Sequence, residues 1–267
     1  MTSPRTEQPT PDYVPGHDLL AGKVVVVTAA AGAGIGAAVV RRALEEGAKA
    51  VVFSDTHERR VAEAQVALSA EFGADRVGSL VCDVTDEDQV AGLLDAADEL
   101  GGVDVMVNNA GLGGTASITD MTDEEWSRVL DITLTGTFRC VRAASRRMIA
   151  AGTRGVIVNN ASVIGWRAQE GQAHYAAAKA GVMALTRCAA VEAAAFGVRV
   201  NAVAPSLAMH PFLAKVTSDE LLAELTQREV FGRAAEPWEV ANVIVFLASP
   251  YSSYMTGEVV AVSSQRA

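Results

Sequence analysis

Short runs of β-branched residues alternate along this chain with longer stretches of helical periodicity, and no other feature of the sequence restricts the fold as strongly. The apolar runs lie at 24–28, 51–54, 77–82, 103–108, 155–160, 198–203 and 258–262. The stretches with helical periodicity are Gly34–Glu46, His57–Phe72, Asp86–Leu100, Asp123–Ala150, Ala173–Phe196 and Pro237–Ala248. Strands that are apolar on both faces and separated by helices predict a parallel sheet covered on both sides. The sequence therefore predicts an α/β fold with a doubly wound, seven-stranded parallel sheet.

The length and local composition predict one domain with a polar segment before it. The chain has 267 residues, half of them apolar, which is enough to bury one substantial core. Residues 1–18 are rich in proline and polar side chains, so we expect a flexible arm before a single domain over 19–267. Residues 206–232 add length beyond the regular alternation, and we expect a substrate lid there rather than a second domain.

The composition argues against several classes of partner. The net charge of −10, from 22 basic and 32 acidic residues, provides no basic stripe for nucleic acid. No apolar run is long enough to span a bilayer, and the first residues lack the apolar centre of a secretory signal, so we expect a soluble cytoplasmic protein. Cys82, Cys140 and Cys188 lack metal-ligand spacing; we interpret them as reduced core thiols and predict no metal site.

A glycine-rich turn, TAAAGAGIG at 28–36, joins the first predicted strand to the first predicted helix. Glycines there let the backbone approach a pyrophosphate, and the N–H groups at a helix start bind it. The predicted dinucleotide contacts in this turn are Thr28, Gly32, Gly34, Ile35 and Gly36. A tight strand-to-helix connection without any ligand is the alternative that the turn alone leaves open.

Asp55 lies 19 residues after Gly36, at the end of the second predicted strand. A carboxylate there accepts hydrogen bonds from the adenosine ribose hydroxyls and repels a 2′-phosphate, which favours NAD over NADP. Arg59 and Arg60 leave NADP open. A cap for the helix beginning near His57 is the purely structural alternative for Asp55.

Two further groups of residues fall where predicted strands end. DV at 83–84 follows the third strand, and NNAG at 108–111 follows the fourth. The carboxyl ends of parallel strands share one edge of the sheet, where ligands bind, so these groups are predicted to contact the cofactor, with loop capping as the alternative. The predicted contacts are Asp83, Val84, Asn109, Ala110 and Gly111.

Ser162, Tyr175 and Lys179 are the predicted catalytic side chains. Ser162 ends the fifth predicted strand, and Tyr175 and Lys179 are four residues apart, which places them on one face of a helix. An ammonium beside a phenol favours its ionised form, so we expect the phenol pKa to move from about 10 toward neutrality and the phenol to exchange a proton with a substrate oxygen. The serine hydroxyl would orient that same oxygen. Taken one at a time, the three have structural alternatives: a strand-end cap, a half-buried ring and a surface lysine.

Taken together, these motifs resemble the short-chain dehydrogenase/reductase family. The resemblance covers nearly all of residues 20–262 and includes RVNAVAP at 199–205 and GRAAEPWEVA at 232–241. It implies a Rossmann-type domain that uses a nicotinamide cofactor to interconvert an alcohol and a carbonyl. It also implies that Tyr175 and Lys179 contact the cofactor, and that Pro205 and Ala208 lie in the loop beside the nicotinamide.

The chain departs from the pattern of this family at several places. The glycine turn has an inserted residue, and an alanine stands where the first glycine is usual, which leaves the route around the pyrophosphate open. Thr133 takes the place of a catalytic asparagine; we expect its hydroxyl to hold a water and to support a proton relay of altered efficiency. PSLAMH at 205–210 and SSQ at 263–265 replace more usual sequences beside the pocket, which suggests a subgroup with its own substrate.

The segments after strands four, five and six are predicted to line the substrate cleft. An apolar cleft suits an alicyclic or acyl group. The predicted apolar wall is Leu112, Ile164, Trp166, Leu207, Met209 and Phe212. The predicted polar markers are Arg167, Gln169, His174 and His210. Simple packing under the lid is the alternative for Trp166 and Phe212, and a helix-start role is the alternative for His174.

Several longer motifs resemble an actinobacterial subgroup of the family that acts on hydroxyacyl-CoA intermediates of steroid C and D ring degradation. They are TAAAG, NNASVIGWRAQ, HYAAAKAGVMALTRC and FGRAAEPWEVA. Two alternatives stay open: a generic 3-oxoacyl thioester reductase and a catalytically silent nucleotide-binding homologue. Family members usually form tetramers through the helices predicted here at 123–150 and 173–196, so we expect a homotetramer.

Overall fold

The computed structural model describes residues 7–209 and 219–265 and is built around one parallel sheet. The strands are β1 (Val24–Val27), β2 (Ala50–Asp55), β3 (Val77–Val81), β4 (Val105–Asn108), β5 (Val156–Asn160), β6 (Arg199–Pro205) and β7 (Val259–Val262). They are ordered β3-β2-β1-β4-β5-β6-β7, and every pair is parallel. The predicted doubly wound, seven-stranded Rossmann-type fold is confirmed.

Helices cover both faces of the sheet, as the alternation predicts. They are α1 (Ile35–Glu45), α2 (Glu58–Phe72), α3 (Glu87–Glu99), α4 (Asp123–Leu130), α5 (Gly136–Ala151), α6 (Ala173–Ala193), α7 (Asp219–Arg228) and α8 (Pro237–Ala248). The sequence pattern does not predict two features. The predicted helix at 123–150 is interrupted by a π-helical segment, Asp131–Thr135, and the predicted lid contains α7.

Two apolar layers hold the sheet between the helices. Val27 and Phe53 point to the side of α1 and α8, where they belong to one buried cluster with Ile244. Val26 points to the other side and belongs to a second cluster with Leu94. Because successive strand residues point to opposite faces, each central strand is buried on both sides. Each large aliphatic side chain so buried contributes roughly 1.5–3 kcal/mol.

The described part of the N-terminal segment contacts the domain rather than lying apart from it. Residues 7–18 form neither helix nor strand, yet the carboxylate of Glu46 accepts hydrogen bonds from the backbone N–H groups of His17 (2.7 Å) and Leu19 (3.0 Å). Glu46 is buried and pairs with Arg42 at 2.6 Å. This differs from the expected flexible arm because a polar segment satisfies a buried ion pair with backbone groups, which composition does not reveal.

The three cysteines differ in their burial. Cys82 and Cys140 are buried, and burial raises the pKa of the Cys82 thiol to about 11. Cys188 is exposed on α6, so the interpretation of all three as core thiols is wrong for this one. Over 7–209 and 219–265, no helix is long and apolar enough to cross a bilayer, and no three His, Cys, Asp or Glu side chains cluster as metal ligands.

Candidate active site

The strand order brings the predicted cofactor turn and the loop after β4 side by side. Thr28 links them: its Oγ1 accepts hydrogen bonds from the N–H groups of Asn109 and Ala110, both at 3.0 Å. Thr28 is 1% exposed. This predicted cofactor residue therefore lies under the turn and joins two loops, rather than facing a ligand.

Asn109 crosses the same gap with its side chain. Its Nδ2 donates to the carbonyl oxygens of Ala29 (3.0 Å) and Thr28 (3.2 Å). A Cβ at Gly36 would stand 2.6 Å from both Ala29 O and Asn109 Nδ2, so only glycine fits there. Ala29 has a φ of 52°, in the left-handed region that favours glycine. It occupies the place where the family usually carries its first glycine.

The turn itself is open at the start of α1. A Cβ at Gly32 would meet nothing within 4 Å, and the N-cap residue Gly34 makes no side-chain hydrogen bond to the helix start. The first helical N–H groups, beginning at Ile35, therefore lack a capping side chain and are oriented to bind an anion. This arrangement fits the pyrophosphate of a dinucleotide.

The two acidic residues at the neighbouring strand ends have different partners. Asp55, at the end of β2, accepts from the backbone N–H of His57 (3.1 Å) and from Arg60 (3.0 Å) through Oδ1. Asp83 accepts through Oδ1 from both the N–H and the hydroxyl of Thr85, as a turn cap does. The predicted contact Val84 is buried, and a Cβ at Gly136 would lie 2.6 Å from its Cγ2.

The structure brings the three predicted catalytic side chains together where β5 ends and α6 begins. Ser162 Oγ accepts from Ile164 N at 3.3 Å, and the Ser162 side chain is near enough to the Tyr175 phenol to influence its pKa. Lys179 Nζ lies 5.5 Å from the centroid of the Tyr175 ring. Lys179 is 3% exposed and donates to the backbone oxygen of Asn160 at 2.6 Å.

Burial shifts both ionisable groups of this set. It raises the pKa of the Tyr175 phenol, against the opposing effect of the Ser162 hydrogen bond, and it lowers the pKa of the Lys179 ammonium to about 8. The expected fall in the phenol pKa is therefore wrong in direction, because loss of hydration disfavours the phenolate more strongly than its neighbours favour it. The ammonium is the group whose pKa moves toward neutrality.

Thr133 lies in the π-helical segment and is fully buried. Its hydroxyl accepts from the N–H of Leu112 (2.9 Å) and donates to the carbonyl of Leu112 (3.1 Å). Its own carbonyl accepts from the hydroxyl of Thr137 at 2.8 Å. The hydroxyl proton is thus committed to the loop after β4, so this predicted relay residue holds that loop in place.

A glycine-rich stretch of that loop passes over the start of α6, within the segment 112–114 that the sequence predicts to line the substrate cleft. A Cβ at Gly113 would lie 3.9 Å from the Tyr175 ring, and one at Gly114 would lie 3.0 Å from His174 Nε2. Gln172 Nε2 donates to Gly114 O at 2.5 Å. His174 is 2% exposed, and its Nδ1 accepts from Tyr175 N at 2.9 Å, so it packs at the helix start as the structural alternative proposes.

The predicted substrate residues lie around the loops after β4, β5 and β6. Leu112, Ile164, Gln169 and Leu207 are half-buried, and Trp166 is 51% exposed. The neighbouring Pro205 ends β6 and is buried, and Ala208, within the predicted lid, forms a bridge with Ala235 just after it. His210 and Phe212 lie outside the described residues.

Departures from the family pattern meet in one hydrogen-bonded cluster that the sequence analysis does not identify. The buried carboxylate of Glu229 accepts from Ser264 Oγ (2.7 Å), Gln265 Nε2 (2.9 Å) and the N–H of Leu207 (3.3 Å). Gln265 Oε1 in turn accepts from Arg167. We call these five residues the Glu229 cluster. It joins the loops after β5, β6 and β7 at the predicted substrate side.

The chain is similar to known proteins over most of its length. A family model described as enoyl-(acyl carrier protein) reductase matches residues 29–264. A Mycobacterium tuberculosis protein named (5R,7aS)-5-hydroxy-7a-methyl-1-oxo-2,3,5,6,7,7a-hexahydro-1H-indene-carboxyl-CoA reductase is 63% identical over 256 residues, covering 96% of this chain and 97% of that protein.

Two further relatives agree with this match. Cis-4-hydroxycyclohexanecarboxylate dehydrogenase of Sinomonas cyclohexanicum is 45% identical over 247 residues, covering 92% of this chain and 96% of that protein. The crystal structure of a short-chain dehydrogenase from Mycobacterium smegmatis superposes with a TM-score of 0.85 at 57% identity, covering 97% of this chain and 99% of that one.

Proposed function

The chain belongs to the short-chain dehydrogenase/reductase family, and we propose that it interconverts a secondary alcohol and a ketone on an alicyclic ring that carries a carboxyl-CoA group. One observation carries the reaction: Lys179 Nζ lies 5.5 Å from the centroid of the Tyr175 ring, and Ser162 is near enough to the phenol to oppose the rise in its pKa. The two relatives named for a carboxyl-bearing ring support the substrate class.

The side chains supply the proton and the geometry. A bound nicotinamide cofactor supplies the hydride when the ketone is reduced and accepts it when the alcohol is oxidised. In reduction, the phenol of Tyr175 gives its proton to the substrate oxygen while the Ser162 hydroxyl orients that oxygen by hydrogen bonding. The Lys179 ammonium stabilises the phenolate that remains. A raised phenol pKa keeps the proton on Tyr175 at neutral pH, which suits a proton donor to a ketone.

We infer that NAD is preferred over NADP. Asp55 ends β2 beside the glycine turn, and its two observed hydrogen bonds both use Oδ1. Its Oδ2 is therefore available to accept a hydrogen bond from a ribose hydroxyl, and the carboxylate repels a 2′-phosphate. Arg60 lies 3.0 Å from Asp55 and neutralises part of its charge. The discrimination between NAD and NADP therefore depends on the position of the Asp55 carboxylate.

A generic 3-oxoacyl thioester reductase is the second candidate, because the matching family model is described as an acyl carrier protein reductase. The test follows nicotinamide fluorescence with NADH and NADPH, using a ring ketone bearing a carboxyl-CoA group and a linear 3-oxoacyl-CoA. We expect NADH and the ring substrate to give the higher kcat/KM. Equal or better turnover of the linear thioester would favour the second candidate.

Tyr175→Phe provides the matched control for this test, because it removes only the phenolic oxygen. We expect kcat to fall by roughly 10²–10⁴-fold, the range for loss of a positioned proton donor. NADH binding should persist. If the wild type itself binds NADH but turns over none of the substrates, the result would instead support the catalytically silent homologue.

We also propose a homotetramer formed through α5 and α6. Phe138 on α5 and Val191 on α6 are 40% and 78% exposed, and such apolar side chains suit helix packing between subunits. Light scattering should give the mass of a tetramer, and Val191→Glu should reduce it. The cytoplasmic location stays a prediction from the sequence.

A further inference from the structure

Asn160 lies between the two halves of the site. It is the last residue of β5, two positions before Ser162, and its backbone oxygen accepts the hydrogen bond from Lys179 Nζ at 2.6 Å. Its side-chain Nδ2 donates to Asn109 Oδ1 at 2.9 Å. One residue therefore contacts both the ammonium and the loop after β4.

Asn109 extends this line of contacts to the cofactor turn. Its Nδ2 donates to the carbonyls of Thr28 and Ala29, and Gly36 packs against the same nitrogen. A continuous set of hydrogen bonds thus runs from Lys179 through Asn160 and Asn109 to the turn. The side-chain links are amides, whose donor and acceptor atoms must both be correctly oriented for the bonds to form.

The side-chain amide of Asn160 uses only its nitrogen within the described residues. Its Oδ1 is buried and has no hydrogen-bond partner there. A buried amide oxygen without a partner is unfavourable and calls for an explanation. This oxygen belongs to the residue that binds Lys179 through its backbone and Asn109 through its amide nitrogen.

We propose that Asn160 is a positioning residue that couples occupancy of the cofactor turn to the placement of the Lys179 ammonium. This inference rests on the proposed function, because it assigns Lys179 to the reaction at Tyr175. Asn160 takes no proton and contacts no reacting atom in this scheme. It determines where the ammonium stands when the turn is filled.

The groups around Lys179 Nζ allow the proposed role of Asn160 to be tested through the pH dependence of binding and turnover. Among the described residues, Tyr175 on its own helix is the titratable group that faces it, while the backbone oxygen of Asn160 on β5 and Gly111 after β4 are uncharged. Burial is the cause of the lowered Lys179 pKa, to about 8. A carboxylate introduced at position 160 would stabilise the ammonium and raise that pKa.

The experiment compares the wild type with Asn160→Leu and Asn160→Asp. It measures NADH binding by nicotinamide fluorescence from pH 6 to 10, together with kcat, KM and thermal unfolding. For Asn160→Leu we expect weaker NADH binding and a kcat lower by about 10-fold, since a misplacement near 1 Å costs up to ~10²-fold. For Asn160→Asp we expect the alkaline limb of both profiles to move up by about one pH unit.

Asn159→Ala is the matched control. Asn159 is the preceding residue of β5, points to the opposite face, and bonds to Asn108 (2.8 Å) and Thr186 (2.9 Å) in the core. It should lower the melting temperature and leave the pH profiles unchanged. Folded Asn160 variants with unaltered NADH affinity and an unaltered alkaline limb would overturn the proposal. Because NADH binding needs no substrate, that outcome is distinct from failure to turn over the ring thioester.

Discussion

The cofactor side and the substrate side of the site are held together by different kinds of hydrogen bond. At the cofactor side, Thr28 and Asn109 bind backbone groups of each other's loops. At the substrate side, Glu229 and Gln265 bind side chains, with one backbone N–H added. Backbone partners persist whatever the neighbouring residue is, whereas side-chain partners must change together. The inserted residue and Ala29 in the cofactor turn therefore leave the Thr28 and Asn109 contacts in place, whereas the departures at 205–210 and 263–265 occur together at the substrate side.

Lys179 bonds to Asn160, which is linked to the cofactor side, and faces Tyr175, so removing its charge has the largest expected effect. Lys179→Met keeps the length of the side chain and removes the ammonium that stabilises the Tyr175 phenolate. We expect kcat/KM to fall by about 10²-fold or more, with NADH binding also weakened. Steady-state kinetics and fluorescence titration measure the two losses. Loss of turnover alone, with full NADH affinity, would confine Lys179 to the chemical side.

Lys179→Met should lower activity but raise the stability of the fold at neutral pH. Burial lowers the folded-state pKa of Lys179 from 10.5 to about 8, so the unfolded state binds more protons between these values. Stability from this group therefore rises as pH increases through that window, and about 3 kcal/mol of it is absent at neutral pH. Lys179→Met should melt higher than the wild type at pH 7, with the difference shrinking by pH 10. An unchanged difference would contradict the linkage.

We expect the choice between NAD and NADP to depend on the Asp55 carboxylate, and its removal should have the next largest effect. Asp55→Ala ends the repulsion of a 2′-phosphate and releases Arg60, which now contacts Asp55 at 3.0 Å. We expect the kcat/KM ratio of NADPH to NADH to rise by roughly 10-fold or more, since juxtaposed like charges cost several kcal/mol. Adding Arg60→Ala should remove most of that gain. If the gain in NADPH use persists in the double variant, it comes from the lost repulsion alone.

Two glutamines allow the two sides to be perturbed in parallel. Gln265 donates to Glu229, whereas Gln89 on α3 donates to Asp86 at 2.9 Å and accepts from the N–H of Asp83. Gln265→Leu should raise KM for the ring thioester by about 10-fold, because it leaves Arg167 and a buried carboxylate each short of a partner. Gln89→Leu should weaken NADH binding instead. If both variants shift the same constant, the two sides are not independent.

The sequence predicts those parts of the molecule that local patterns encode. Alternating apolar runs report burial, so the strands and most helices follow from them, and strand ends locate the site at one edge. The contacts between Thr28 and Asn109 span 81 residues, and that between Arg167 and Gln265 spans 98. No local pattern encodes such pairs. The Asn160 link and the Glu229 cluster are therefore missing from the sequence analysis.

The direction of the phenol pKa was inaccessible from sequence for a related reason. Spacing places Lys179 one helical turn from Tyr175, which indicates an attraction, but the burial of both groups comes from tertiary packing, in which the glycine-rich loop passes close to them. The π-helical segment is a further example. Thr133 is held there by both backbone groups of Leu112, a contact across 21 residues.

Backbone strain at the cofactor turn provides the smallest and most local test. Ala29 has a φ of 52°, which costs an alanine about 1 kcal/mol, while a glycine loses about 0.5 kcal/mol more chain entropy on folding. Ala29→Gly should therefore raise the melting temperature by about 1–2 °C and leave NADH affinity unchanged. Ala33→Gly, in the same turn without a positive φ, should lower it. If Ala29→Gly instead weakens NADH binding, the strained alanine holds the turn in its binding conformation, and the cofactor side depends on side-chain identity as the substrate side does.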